Sequence, residues 1–151
     1  AATARSLGEV LSEPPARLEA GLRLALEICD STMTYRARYL AAVQPALVLD
    51  LVLADDANPR SLLFQIEAVV ERLTEIGGAE DRLTRMAERL AGRPATMVDG
   101  VTVAPDPDMA ATGLPDALFT LEREIGALSD AVSRRYVSHV QAVALGEEAR
   151  P

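Results

Sequence analysis

Arginines are the residues of this chain best suited to chemistry, because they supply every basic side chain: 15 arginines and no lysine among 151 residues. On a helix drawn at ~100° per residue, Arg36 falls inside an apolar stripe, between Met33 and Leu40. A buried guanidinium needs a partner, since an unpaired buried charge is costly. Arg36 is therefore an internal ion pair, with Glu122 as its expected acid, or an anchor for an anionic ligand, or a residue exposed by a kink.

Arg60 is unusual for a different reason, because it lies in the first turn of a predicted helix that begins with Asn58 as N-cap and Pro59. The helix dipole disfavours a cation at that end. Two interpretations stay open. Either Asp55 and Asp56 pair with Arg60 locally, or Arg60 and the free backbone N–H groups form an anion site.

Charge and composition exclude several classes of function. The net charge of −8 and the pI near 4.7 argue against sequence-independent nucleic-acid binding and against docking on anionic lipid. The single Cys29 fits a reducing compartment, so we expect a cytoplasmic protein. One cysteine and the single His139 leave too few ligands for a His/Cys metal site, and we expect neither a metal nor a cofactor. No phosphate-binding Gly-rich loop or nucleophile elbow is present.

Hydrophobic periodicity predicts an all-α fold, an antiparallel bundle of four to five helices. The predicted single helical domain covers residues 12–145 and is followed by a polar tail, 146–151. Residues 92–117 hold four of the nine prolines and are predicted to form a long acidic loop, with a short extended piece at 98–103. The helices are predicted at about 14–43, 46–54, 58–76, 79–90 and 116–145.

Three stretches in a fixed order resemble a known family. The first is Tyr35-Arg36-Ala37-Arg38-Tyr39-Leu40. The second is Val48-Leu49-Asp50-Leu51, followed by Asn58-Pro59-Arg60-Ser61. The third is Leu128-Ser129-Asp130-Ala131, which leads to Tyr136. Together they resemble the C-terminal half of the alpha-E domain, an all-helical bacterial family. The family's Glu-Arg motif belongs to a Gly-Arg-Tyr-Leu-Glu-Arg-like segment, whereas here Ala41-Ala42 follows Leu40. We therefore expect either a truncated form that lacks the N-terminal half, which we favour, or a divergent short form of the family.

The resemblance implies a companion role beside a circularly permuted ATP-grasp protein and a transglutaminase-like peptidase. We expect a non-catalytic helical module that binds a partner enzyme or its peptide substrate. The alternatives are an enzyme subunit in ATP-dependent amide-bond chemistry, in which arginines hold a carboxylate or acyl phosphate and Asp50 orients an amine, and a purely structural domain. The residues predicted to bind a ligand or partner are Tyr35, Arg36, Arg38, Asp50, Asn58 and Arg60.

Overall fold

The computed structural model describes residues 2–12, 14–40, 42–103 and 113–137. Their regular structure is entirely helical, which confirms the predicted fold class. Within these residues the helices are shorter and more numerous than the four to five expected. The α-helices are α1 (Ala2–Leu11), α2 (Pro15–Ile28), α3 (Thr32–Tyr39), α4 (Pro45–Leu49), α5 (Leu62–Gly77), α6 (Arg82–Ala91), α7 (Arg93–Val103) and α8 (Leu114–Val132), and π-helical segments follow α4 (Asp50–Ala54) and α8 (Ser133–Val137).

The predicted helix 14–43 is wrong as a single element, because the chain breaks between α2 and α3. Asp30 adopts a left-handed conformation with φ of 50°, which Asp tolerates better than most residues. The Ser31 N–H then donates to the Leu26 carbonyl at 2.8 Å, and the Ser31 carbonyl accepts from Tyr35 N in the first turn of α3. The break changes the phase of the helix, so α3 does not continue the buried face of α2.

The core is built around two segments that lie far apart in sequence. α1 packs mainly against α8, and Ala4 and Leu7 are fully buried. The packed helices thus begin at Ala2, ten residues before the predicted start of the domain at residue 12. α1 also contacts α2 closely, since a Cβ added at Gly21 would lie 2.6 Å from a Val10 methyl group.

The apolar run 46–54 is helical, as predicted, and it forms the centre of the fold. Val48, Leu51, Val52 and Leu53 have no exposed surface. Halfway along, α4 widens into the π-helical segment, whose last turn closes with a 3.0 Å hydrogen bond from Asp55 N to the Asp50 carbonyl. π-Helical segments are mostly single turns within α-helices, and they are frequent at functional sites.

The predicted loop 92–117 is wrong for residues 93–103, which form α7 rather than a loop with an extended piece. The prolines explain the error. Pro94 and Pro115 both lie at the start of a helix, where the missing N–H costs nothing. Residues 104–112 lie outside the described residues, as do His139, the predicted end of the last helix and the tail 146–151.

The α5–α6 hairpin follows the sequence signals closely. Gly78, with φ of 82°, ends α5 close to the predicted end of this helix at residue 76. Asp81 caps α6 by accepting from Leu83 N at 2.8 Å. Only the start of α5 differs, because Ser61 rather than Asn58 is its N-cap and accepts from Phe64 N at 3.1 Å. No helix in the described residues is long and apolar enough to cross a membrane.

Candidate functional site

The inner side of α3 carries two tyrosines whose rings contact each other at a tilt of 52°. Tyr35 is only 2% exposed, and its ring lies 5.1 Å from that of Tyr39, centroid to centroid. The Tyr35 hydroxyl donates to the Ala42 carbonyl at 2.9 Å and accepts from Gln44 N at 3.1 Å. Tyr35, a predicted binding residue, thus fixes the link between α3 and α4, and it also lines a cleft that includes Arg36.

Tyr39 connects α3 to the π-helical segment. Its hydroxyl donates to Asp50 Oδ2 at 2.9 Å. Burial raises the pKa of the Tyr39 phenol, and the hydrogen bond to the Asp50 carboxylate raises it further. Asp50, which was predicted to bind a ligand or partner, is half-buried with one oxygen already occupied by this phenol.

Arg38 forms an ion pair with Asp55, the residue that ends the π-helical segment. The Asp55 side chain is 6% exposed and that of Arg38 is 46% exposed. The hydrogen bond to Asp55 raises the pKa of Arg38 above its ordinary value. Asp55 also accepts from Ala57 N at 3.0 Å through its other oxygen. The charge of Arg38 is therefore largely used to neutralise a buried acid.

Asn58 is a buried connector rather than the predicted N-cap. Its Nδ2 donates to the Leu51 carbonyl at 2.9 Å and to Ser31 Oγ at 3.3 Å. Its Oδ1 accepts from Arg60 N at 3.1 Å. One side chain thus links the break before α3, the π-helical segment and the turn before α5.

Arg60 pairs across this turn with Asp30, at 3.1 Å, instead of with Asp55 or Asp56. Its side chain is 61% exposed and that of Asp30 is 78% exposed, so water screens the pair. The interpretation of a local pair with Asp55 or Asp56 is therefore wrong, because the acid that pairs with Arg60 is Asp30. The reason is the left-handed Asp30, which brings a carboxylate from the α2–α3 break to this turn.

Arg36 is exposed, and it forms no ion pair with any other described residue. The expected buried pair with Glu122 is therefore wrong, and the kink that was considered as an alternative is what the structure has. Arg36 lies beside a cleft of about 250 Å³ together with Arg23 and Thr32. The structure brings Tyr35, Arg38, Asp50, Asn58 and Arg60 into one hydrogen-bonded region and leaves Arg36 on the outer side of α3.

The outer side of α3 is a surface that the sequence analysis missed. Met33 is 75% exposed and Leu40 is 90% exposed, on either side of Arg36. Leu40 also has a left-handed backbone, with φ of 47°. The signal that would have predicted this surface is Asp30-Ser31-Thr32, a run of residues that favour helix ends and N-caps over helix interiors.

The described residues offer little else for catalysis. Burial raises the pKa of the Cys29 thiol, which lowers its reactivity. No group of three or more His, Cys, Asp or Glu side chains within the described ranges is placed to hold a metal ion.

The fold and this region define an all-helical domain in which acids and arginines join the helices. The chain belongs to the Alpha-E family, described as a predicted α-helical domain with a conserved ER motif, whose model matches residues 1–137. Glu-Arg pairs occur three times in the chain, at Glu71-Arg72 on α5, Glu88-Arg89 on α6 and Glu122-Arg123 on α8.

The chain is also similar to uncharacterised proteins of Mycobacterium tuberculosis and Mycobacterium bovis. Each is 33% identical to it over 85 residues, which is 56% of this chain. The same segment is 9% of each relative, so the chain spans only a small part of their length. No solved structure matches the chain.

Proposed function

We propose that this Alpha-E domain is a non-catalytic helical module that binds a partner enzyme, or that enzyme's peptide substrate, through the outer side of α3. The observation that carries the proposal is the exposed stripe of Met33, Arg36 and Leu40. Met and Arg are enriched in protein interfaces, and Arg is one of the residue types enriched at their energetic centres.

The backbone at Leu40 supports a binding role for this stripe. A left-handed conformation costs a non-glycine residue about 1 kcal/mol, and glycine is the usual residue where a helix ends in this way. The chain has a leucine there, with 90% of its surface exposed. Neither backbone preference nor burial in the core favours this side chain, whereas contact with a partner does.

Exposed side chains on α2 extend the apolar surface of this part of the molecule. Leu24 and Ile28 are about half exposed, and they lie four residues apart on one face of the helix. The cleft beside Arg36 includes Arg23, whose charge is shared with Glu19 at 2.7 Å. An apolar surface with a polar edge is the usual form of a protein-binding site.

The partner we propose is the one that the family resemblance implies, a circularly permuted ATP-grasp protein or a transglutaminase-like peptidase. The domain and its partner would then belong to a system that forms amide bonds or modifies peptides. The relatives support a modular role, because the matched segment is embedded there in chains about ten times longer than the match. A small helical domain that accompanies larger units fits a binding function better than an independent reaction.

An enzyme subunit in ATP-dependent amide-bond chemistry is the second candidate, and the π-helical segment beside Asp50 and Asp55 favours it. In that case Arg38 would have to leave Asp55 to hold an acyl phosphate, and Asp50 would have to release the Tyr39 hydroxyl. Both groups are engaged in the fold, which favours the binding module. A purely structural domain would not need the exposed stripe.

The test is calorimetric titration of the 151-residue chain with a purified ATP-grasp protein of the same organism. Arg36→Ala is expected to weaken binding at least about tenfold, the effect of losing ~1.4 kcal/mol at an energetic centre. Its stability should remain within about 0.5 kcal/mol of wild type, because the side chain is exposed. Arg72→Ala, on the exposed side of α5, is the matched control and should bind normally.

Two results would overturn the proposal. One is a wild-type chain that does not bind the ATP-grasp protein or the transglutaminase-like peptidase. The other is binding that survives Arg36→Ala but is lost in Arg38→Ala, which would point to the inner side of α3 and to the enzyme-subunit alternative.

A further inference from the structure

A second arginine-rich surface lies far from α3 in sequence, along the contact between α6 and α8. Two openings of about 210 Å³ and 330 Å³ follow this contact. The first is lined by Met86, Leu90 and Ala127 with Arg89 and Arg93, and the second by Arg82, Ala131 and Arg134 with Arg135. Together they form what we term the α6–α8 groove.

Ion pairs close the two ends of the groove. Arg93 donates to Glu124 Oε1 at 2.9 Å at one end, and Arg135 donates to Asp81 Oδ2 at the other. The pairing lowers the pKa of Asp81, with the Arg135 hydrogen bond as the main cause. These contacts fix the two ends of the groove. Glu124 and Asp81 are therefore each already paired with an arginine.

Three arginines of the groove are left over. Arg82, Arg89 and Arg134 are exposed and form no ion pair within the described residues. Each side chain is long and fully charged, so the groove has about three uncompensated positive charges on a chain whose net charge is −8. The groove therefore concentrates positive charge on a chain whose overall sign is negative.

The side chains that α6 contributes to the groove are spaced by whole turns of the helix. Arg82, Met86 and Arg89 lie at i, i+4 and i+7, so they share one face, and the two arginines are ~10 Å apart along the axis. Small side chains at Ala127 and Ala131 occupy matching positions on α8. The floor is therefore apolar and the charges recur at the interval of two helical turns.

We propose that the α6–α8 groove binds an acidic, amphipathic segment of a partner polypeptide. A helix with Glu or Asp residues seven positions apart and apolar residues between them matches both the charges and the floor. The Arg guanidinium also suits carboxylates, which it holds through two parallel hydrogen bonds. A nucleic acid is the less suitable polyanion, because the rest of this acidic chain would repel its backbone.

The groove is a different surface from the outer side of α3, so this inference does not depend on the function proposed for that stripe. The two surfaces also differ in chemistry. Several arginines line the α6–α8 groove, which calls for an acidic partner segment, whereas the outer side of α3 is apolar with a single arginine.

The experiment measures fluorescence anisotropy of a labelled 18-residue helical peptide, with Glu at every seventh position and Leu at the third and fourth positions between, titrated with the 151-residue chain. We expect saturable binding that weakens as NaCl rises from 50 to 300 mM, since salt screens exposed charges. The combined variant Arg82→Gln, Arg89→Gln and Arg134→Gln is expected to lose at least tenfold in affinity.

A matched variant removes the same charge elsewhere. Arg5→Gln, Arg17→Gln and Arg72→Gln take three charges from exposed positions on α1, α2 and α5, and should change affinity less than twofold. Both variants should keep the wild-type urea midpoint. A peptide with Gln in place of Glu should not bind, and this control stands even if a variant fails to fold.

Three outcomes would overturn the proposal. The first is equal loss of affinity in the two triple variants, which would indicate non-specific charge attraction. The second is equal binding of the Glu and Gln peptides. The third is tighter binding of a 20-nucleotide single-stranded DNA that depends on the same three arginines, which would assign the groove to nucleic acid.

Discussion

The inner side of α3 and the α6–α8 groove both combine arginines with acids, but the two regions use them in opposite ways. At α3 the acid is the buried member: Asp55 is almost covered, and Arg38 reaches it from the surface. In the groove the arginines outnumber the acids, and three of them remain exposed without a partner among the described residues. A buried charge must be neutralised by the protein itself, whereas an exposed charge remains available to another molecule.

The role of an arginine in this fold depends on whether its partner acid is buried. Arg36, Arg38 and Arg60 are all predicted from the sequence to bind a ligand or partner, yet only Arg38 pairs with a buried acid. The burial of the partner, and not the arginine itself, decides whether the residue stabilises the fold. Variants in the two kinds of position should therefore differ in how they affect stability and binding.

The largest effect on stability is expected at Asn58, in the region that connects the buried acids. Asn58→Ala removes hydrogen bonds to Leu51, Ser31 and Arg60 and takes a buried donor from the Leu51 carbonyl, while the Ser31 hydroxyl keeps only its bond to the Cys29 carbonyl. We expect a loss of about 3 kcal/mol of unfolding free energy, measured by urea denaturation. Gln44→Ala, which removes an exposed amide, should stay near wild type. Equal stabilities would mean that the break before α3 is held by other contacts.

Leu40→Gly should act in the opposite direction. Glycine relieves the left-handed backbone at φ of 47°, while the 90% exposed leucine loses almost no packing. We expect stability to rise by about 0.5–1 kcal/mol in the same urea assay. Leu40→Ala keeps the Cβ and should show no such gain. Both variants should bind the partner enzyme less tightly, and a gain in stability without weaker binding would remove Leu40 from the proposed surface.

The pH dependence of the inner region is a subtler test. Because burial and Asp50 raise the pKa of Tyr39, the neutral phenol is favoured in the folded state. This contribution to stability is complete below the ordinary tyrosine pKa of about 10, and it is lost as the pH rises through the higher folded value. With three tyrosines and no tryptophan, absorbance at 295 nm follows the titration directly.

Variants assign this titration to its residue. Tyr39→Phe should remove a late-ionising tyrosine from the curve. Asp50→Asn should lower the Tyr39 pKa only in part, because burial is the larger cause and remains. A wild-type curve in which every tyrosine ionises at the ordinary value would contradict the buried hydrogen bond.

The smallest effect is expected at Arg60. Its pair with Asp30 is exposed on both sides, so Arg60→Ala should change stability by less than about 0.5 kcal/mol, and the difference should vanish in 1 M NaCl. Arg38→Ala is the sharper counterpart, since it leaves Asp55 buried and unpaired, and it should cost more. If the two variants were equally destabilised, the contrast between buried and exposed acids would not hold.

The parts of the fold that follow from local signals were predicted well. Gly78 and Asp81 place the α5–α6 turn, and the apolar run 46–54 is helical and buried. The failure at 93–103 has a local cause too, because Pro94 begins a helix as readily as it ends one. The contacts of the predicted site residues could not be predicted from the sequence: Tyr35, Asp50 and Asn58 link elements, and Arg60 has a distant partner.

By itself, the sequence determined that the chain is helical, where the central apolar helix, α5 and α6 end, and that its arginines would need partners. Tertiary structure decided which arginines have them. The difference originates at the break around Asp30, where the chain leaves the helical conformation between α2 and α3. Each residue of a helix advances the face by ~100°, so one such break redirects every side chain that follows. The stripe of Met33, Arg36 and Leu40 therefore faces outward, while Tyr35 takes the place in the core.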